Sequence, residues 1–200
     1  MTTRILLVRH GQSTWNADGR WQGRADPPLS ALGELQAANA STSEHVDGIT
    51  QIWSSGLVRA SRSAQIVGDA LDLDVQIDDR LMERDAGEWT GLTRTQIDEG
   101  WPGFLGSQGR PSGFEGDDEV VKRALAVLEA IEGGASGESV LAFTHGGLIR
   151  AVERHLGVDS PAVPNLGGTV VLARSGNFEH VSRVLLIDPE SVELTTPQQI

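Results

Sequence analysis

Short apolar runs alternate with longer stretches of helical periodicity along this chain, and few architectures accommodate that order. Residues 4–8, 49–53, 75–77, 140–143, 169–173 and 181–187 read as strands, the first of them as a buried one. Between them, four segments carry apolar residues at helical spacing. Ser30 is a candidate N-cap for a helix over 30–43, with Ala31, Leu32, Leu35 and Ala38 recurring on one side. Leu57, Ala60, Ala64, Val67 and Leu71 form a stripe over 57–71, residues 118–131 carry a broad apolar face, and 148–156 is the fourth helix. Strands interleaved with helices predict an α/β three-layer sandwich, a mostly parallel sheet with helices on both faces. Ligands in such sheets collect where strand C-termini meet helix N-termini. The exception to the pattern lies between Gly100 and Gly116, which hold six Gly and two Pro. It reads as a lid-like excursion around 100–117 on a single domain spanning 1–200.

Composition removes several chemistries. A net charge of −12 argues against a nucleic-acid partner or an anionic membrane surface. With no Cys there are no disulfides, thiolate nucleophiles or cysteine metal sites. The apolar runs are far too short to span a bilayer, so the expectation is a soluble, cytoplasmic protein. Fifteen Arg accompany one Lys, Lys122, which precedes Arg123 in a helical segment and suits neither a phosphate loop nor Schiff-base chemistry. The motifs G-x-S-x-G, H-E-x-x-H and G-x-G-x-x-G are absent.

Two strands end in a His-Gly pair: Arg9-His10-Gly11 after the first, and His145-Gly146-Gly147 after the strand at 140–143. If these strands are neighbours in a parallel sheet, both imidazoles emerge at the ligand-binding edge. A Gly after each His lets backbone approach a ligand, and a helix start offers N–H groups to an anion. A single His at a strand end is more often structural than functional. Arg9 beside the first His and Arg59 at the start of the 57–71 helix shift that balance. Two guanidiniums, two imidazoles and a helix N-terminus suit a tetrahedral dianion. Glu83 could serve cleavage of a phosphate ester as acid for the departing alkoxide and then as base for water.

Five ordered blocks carry a resemblance. They are Arg9-His10-Gly11 with Asn16; Arg20-Trp21-Gln22-Gly23 leading to Asp26, Pro28 and Leu29; Ser54-Ser55 with Leu57, Arg59 and Ala60; Leu81, Glu83, Gly87, Trp89 and Gly91; and His145-Gly146-Gly147. In this order, from about residue 4 to 150, they resemble the histidine phosphatase superfamily, in its branch of metal-independent phosphatases related to phosphoglycerate mutase. The resemblance implies a phosphoglycerate mutase-like fold and no cofactor. It implies His10 as the nucleophile that takes the phosphoryl group, with Glu83 as proton donor and His145 as a cationic partner in catalysis. Arg9, Asn16, Gln22, Gly23, Arg59 and Gly146 would bind the phosphate, and no residue would bind a metal.

Between Arg84 and Glu119 stand three Arg and eight Asp or Glu, an acidic balance that disfavours holding a bisphosphorylated intermediate. Family mutases also tend to carry Gly-Trp where this chain has Gly23-Arg24. The expected activity is therefore hydrolysis of a small phosphorylated metabolite. The alternatives are phosphoglycerate mutase and a non-catalytic phospholigand-binding module. Gly116-Asp117-Asp118 departs from the family's usual Gly-Glu-Ser; Asp118 is then the expected N-cap, facing solvent. An edge strand near the C-terminus leaves a homodimer open.

Overall fold

The computed structural model describes residues 1–107 and 109–197, so Gln108 of the 100–117 excursion and positions 198–200 lie outside the described residues. Six strands form one mixed sheet: β1 (Thr3–Arg9), β2 (Gln51–Ser54), β3 (Val75–Ile77), β4 (Ser139–Thr144), β5 (Gly167–Arg174) and β6 (Asn177–Leu185), in the order β3-β2-β4-β1-β5-β6. The first four are mutually parallel. β5 runs antiparallel to β1, and β6 antiparallel to β5. The α/β expectation holds, with the mostly parallel part confined to the half of the sheet that carries both His-Gly ends.

Among the described residues the α-helices are α1 (Thr14–Ala17), α2 (Ala31–Ala40), α3 (Val58–Leu71), α4 (Arg94–Gly100), α5 (Asp117–Gly134) and α6 (Gly146–His155). β1 shows why its run is continuously apolar. Successive side chains alternate between faces: Ile5 and Leu7 join Val127, Leu128 and Ile131 of α5 and Val152 of α6, while Leu6 and Val8 join Ala60, Ala64 and Val67 of α3. Burial on both faces makes the central strands wholly apolar and fixes which edge the chain ends emerge from.

Several boundaries differ from the sequence reading for identifiable reasons. α2 stops at Ala40 rather than 43 because Thr42 and Ser43 turn back onto the Asn39 and Ala40 carbonyls. α5 begins at Asp117 with Gly116, not Asp118, as N-cap; the Glu119 carboxylate accepts from the Gly116 N–H at 3.0 Å, and Asp118 is exposed. α6 starts directly after His145, two residues before 148. The short helices α1 and α4 escaped the periodicity reading, which needs several turns. Their signal was present as two capping boxes, Ser13 with Asn16 and Thr93 with Gln96. Among the described residues no helix is long and apolar enough to cross a membrane.

Candidate active site

The register of β1 and β4 pairs Arg9 with Thr144, so His10 and His145 leave adjacent strands side by side. The His10 N–H donates to the Thr144 carbonyl at 3.1 Å. The two rings lie 5.1 Å apart, tilted by 60°, and both are buried. A carbonyl can only accept, so the 2.6 Å contact between His10 Nδ1 and the Gly11 carbonyl places the ring proton on Nδ1. Nε2 is thereby left with its lone pair, which accepts from Arg59 Nε at 3.2 Å.

Arg59 sits in the first turn of α3, and its Nη1 and Nη2 donate to the Ala25 and Gly23 carbonyls at 2.7 and 2.9 Å. Arg9 donates through Nη1 to the Val163 carbonyl at 2.7 Å. Glu83 closes the ring of groups from the segment before α4. Its Oε1 accepts from the Arg84 N–H at 2.7 Å, and its Oε2 accepts from the Gly147 N–H in the first turn of α6 at 3.0 Å. Thr144 Oγ1 donates to the Leu81 carbonyl at 2.6 Å and ties that segment to the end of β4.

Burial dominates the electrostatics. It lowers Arg9 and Arg59 to about 10, against the opposing charge of Glu83. Burial, then Arg59 and Arg9, push His10 well below its ordinary 6.5. Burial, then Arg59, His10 and Arg9, do the same to His145. Desolvation and the basic neighbours thus oppose a positive charge on His145, and the cation implied by the resemblance depends on a bound dianion to offset them.

The remaining phosphate-site candidates are placed unequally. Asn16 Oδ1 accepts from the Ser13 N–H at 3.2 Å, and its Nδ2 is buried without a partner among the described residues. Gln22 Oε1 accepts from Ser13 Oγ at 2.6 Å. Gly23 reaches the site through its carbonyl, which holds Arg59. Its own φ of +50° and a Cβ position 2.8 Å from the Ala86 nitrogen both demand glycine. The glycines after the histidines are also required by packing. A Cβ on Gly11 would meet the Gly33 carbonyl oxygen at 2.5 Å, and one on Gly146 would press on Arg9 Nη1 at 3.3 Å.

Three residues gain a part that no local signal assigned. Ser55 Oγ lies 2.7 Å from His145 Nε2. Ser63 Oγ accepts the Gly11 N–H at 3.0 Å, and Asn165 Nδ2 donates to the His10 carbonyl at 2.9 Å. Ser55 was findable, since it directly follows β2 at the same sheet edge; Asn165 lies 155 positions from His10 and was not. Among the described residues no group of three or more His, Asp or Glu could hold a metal ion.

Beside Glu83 opens a cavity of about 430 Å³ whose lining includes Gly147, Trp21, Trp89 and Phe114. The acidic balance of the 84–119 segment does not describe it. Arg84, Arg94 and Arg110 all line the cavity, whereas Asp117 is the one carboxylate of that segment among its lining residues. Of the others, Glu115 turns to Arg123, Asp85 to the Gly87 N–H and Glu88 to the Ser112 N–H. Trp101, Phe104 and Phe114 from the excursion pack with Trp21, Trp89 and Ile97 in a small apolar cluster of their own.

The model of the histidine phosphatase superfamily (branch 1) matches residues 5–170. The probable phosphoglycerate mutase GpmB of Salmonella newport is 40% identical over 151 residues, covering 71% of this chain and 69% of that protein. Among solved structures, a mycobacterial glucosyl-3-phosphoglycerate phosphatase in complex with VO3 superposes with a TM-score of 0.79 at 30% identity, covering 89% of this chain and 96% of the other. A variant of the phosphoserine phosphatase of Entamoeba histolytica in complex with phosphoserine gives 0.76 at 26%, covering 90% and 96%. With two histidines, two arginines and a glutamate gathered at one sheet edge and a family model matched over most of its length, this chain belongs to the histidine phosphatase superfamily, branch 1.

Proposed function

We propose that the protein is a phosphatase that hydrolyses small phosphomonoesters without a metal, through a phosphohistidine on His10. The observation that carries this reading is the state of the His10 ring, with its proton held at Nδ1 by the Gly11 carbonyl and its Nε2 lone pair turned towards Arg59. Nε2 attacks phosphorus as the bond from phosphorus to the leaving oxygen breaks, and Glu83 gives that oxygen a proton. Water then attacks the phosphohistidine, Glu83 takes the water's proton, and the P–N bond breaks to return His10 to its starting form. Arg9, Arg59, Asn16 and His145 bind and neutralise the phosphoryl oxygens, the main demand of phosphoryl transfer. Support comes from Arg9 Nε, Asn16 Nδ2 and His145 Nδ1, buried and without a partner among the described residues, polar atoms of a kind that folded proteins seldom leave unmatched. His145 becomes imidazolium when a dianion offsets its basic neighbours. The names of the mycobacterial and Entamoeba relatives point the same way.

A second reading, phosphoglycerate mutase, is favoured by the arginine-lined cavity and by the name of the Salmonella relative. Incubation with an aryl phosphate in EDTA is expected to release phosphate, and acid quenching to trap phosphohistidine that His10→Ala lacks. Loss of turnover on chelation sinks the metal-free mechanism. Sustained interconversion of phosphoglycerate isomers without phosphate release replaces it with the mutase reading.

A further inference from the structure

Three successive backbone groups of the loop that carries His10 are each held by a side chain from another part of the fold. The His10 carbonyl accepts from Asn165 Nδ2 at 2.9 Å, the Gly11 N–H donates to Ser63 Oγ at 3.0 Å, and the Gln12 N–H donates to Gln36 Oε1 at 2.8 Å. Asn165 lies just before β5, Ser63 in α3 and Gln36 in α2, and all three are wholly buried. Asn165 and Gln36 meet through the segment that follows β6. Gln36 Nε2 donates to the Glu193 carbonyl at 2.8 Å and to Thr195 Oγ1 at 3.1 Å, and Thr195 Oγ1 in turn donates to Asn165 Oδ1 at 2.8 Å. The Asn165 N–H donates to the Thr195 carbonyl at 2.9 Å. Backbone groups fix the direction of this chain of bonds. The Gln12 N–H can only donate and the Glu193 and His10 carbonyls can only accept, so neither amide turns over without setting like groups face to face.

What these contacts hold is the acceptor of the His10 ring proton. The Gly11 carbonyl, 2.6 Å from His10 Nδ1, shares a peptide plane with the Gln12 N–H. Donation from that N–H to Gln36 polarises the plane and strengthens the Gly11 carbonyl as an acceptor, since hydrogen bonds in sequence reinforce one another. The preceding plane, between His10 and Gly11, is held at both edges, by Asn165 at its carbonyl and by Ser63 at its N–H. Glycine at 11, which the close approach to Gly33 demands, leaves this backbone unusually free, so its restraint falls to those hydrogen bonds. The segment that supplies Thr195 is anchored on either side of it. Leu186 and Ile187 are buried, the Asp188 N–H donates to Asn39 Oδ1 at 2.9 Å, and Pro197 is buried.

We propose that Thr195, with the Gln36 and Asn165 amides it joins, is a positioning residue for the nucleophile, holding the Gly11 carbonyl where it keeps the His10 ring proton on Nδ1. This rests on the phosphohistidine reading of His10, and the test separates the two. Proton NMR of the whole chain reads the His10 Nδ1–H directly and without substrate, and His10→Gln identifies that resonance by deleting it. Thr195→Val keeps the side chain's shape without its hydroxyl, and Thr195→Ser keeps the hydroxyl. In Thr195→Val the ring proton is expected to exchange with solvent about tenfold faster, the effect of losing one buried hydrogen bond, and in Thr195→Ser to exchange as in the parent. Turnover of an aryl phosphate is expected to follow, with kcat falling about tenfold at unchanged KM in Thr195→Val and recovering in Thr195→Ser. If Thr195→Val does not fold, Thr195→Ala takes its place, because the half-buried position lets water fill the lost volume. Unchanged exchange or unchanged kcat in the hydroxyl-free variant overturns the proposal, as does an equal loss in Thr195→Ser, which would make the role one of packing. Failure of the phosphatase reading shows separately, as no phosphate released by the parent, and the ring proton then decides by itself whether Thr195 holds the His10 loop.

Discussion

In the proposed mechanism Glu83 handles the proton and Ser55 holds the His145 ring through one contact, which makes them the sharpest probes of it. Glu83→Gln keeps an acceptor for the Gly147 N–H but can neither give nor take the catalytic proton. Turnover of a poor leaving group is expected to fall at least ~10²-fold, the usual worth of general acid–base catalysis, with phosphate affinity retained. Inorganic phosphate titration beside steady-state rates checks both halves, and a matched loss of affinity argues for a structural role instead. Ser55→Ala removes the partner of His145 Nε2. It is expected to lower kcat about tenfold with little change in KM, as loss of a contact that orients the ring should. A change in KM alone would assign Ser55 to binding rather than orientation. Both residues belong to blocks readable from the chain. Asn165 does not: nothing near it announces that its amide holds the His10 carbonyl, since its environment is assembled from β1 and the Thr195 hydroxyl.

At the level of elements, the loop after β1 and the first turn of α2 approach more closely than any side chain allows. A Cβ on Gly33 would stand 2.0 Å from the Gln12 carbonyl oxygen, and one on Gly11 would stand 2.5 Å from the Gly33 oxygen. Gly33→Ala must therefore separate α2 from the loop that carries His10. The expected cost is on the order of 2 kcal/mol, with activity falling alongside, because overpacking forces backbone shifts. Urea unfolding and the aryl phosphatase assay together test this; an unchanged midpoint would show that α2 shifts freely. In α5, Leu128 is wholly buried between the helix and the sheet. Leu128→Ala is expected to lose ~2–5 kcal/mol while sparing the site's chemistry per folded molecule.

For the molecule as a whole, pH should govern stability through the buried imidazoles. His10 and His145 both lie well below 6.5 in the folded chain, so they stay neutral where the unfolded chain protonates. Below about pH 6.5 the unfolded state binds more protons, and stability falls as pH falls. Above it, the contribution is fully present. Urea midpoints are expected to drop between about pH 6.5 and 5, and the drop should shrink in a variant with both histidines replaced by Gln. Burial would raise Asp117, but Arg84 and Arg154 hold it below its usual 3.8, which places a second loss near or below that value. A flat profile through the first window would contradict the buried neutral pair.

The strand ends bearing His10 and His145, the helix carrying Arg59 and the block around Glu83 were all readable because apolar periodicity and short motifs are local properties. So was the α/β class, since a strand buried on both faces must be apolar throughout. The field inside the cavity was not readable. Three arginines and eight carboxylates between Arg84 and Glu119 count as acidic along the chain, yet all three arginines and one of the carboxylates line the pocket. Which way each side chain points depends on partners such as Arg154, 37 positions from Asp117, and electrostatic potential follows distance in space rather than along the backbone.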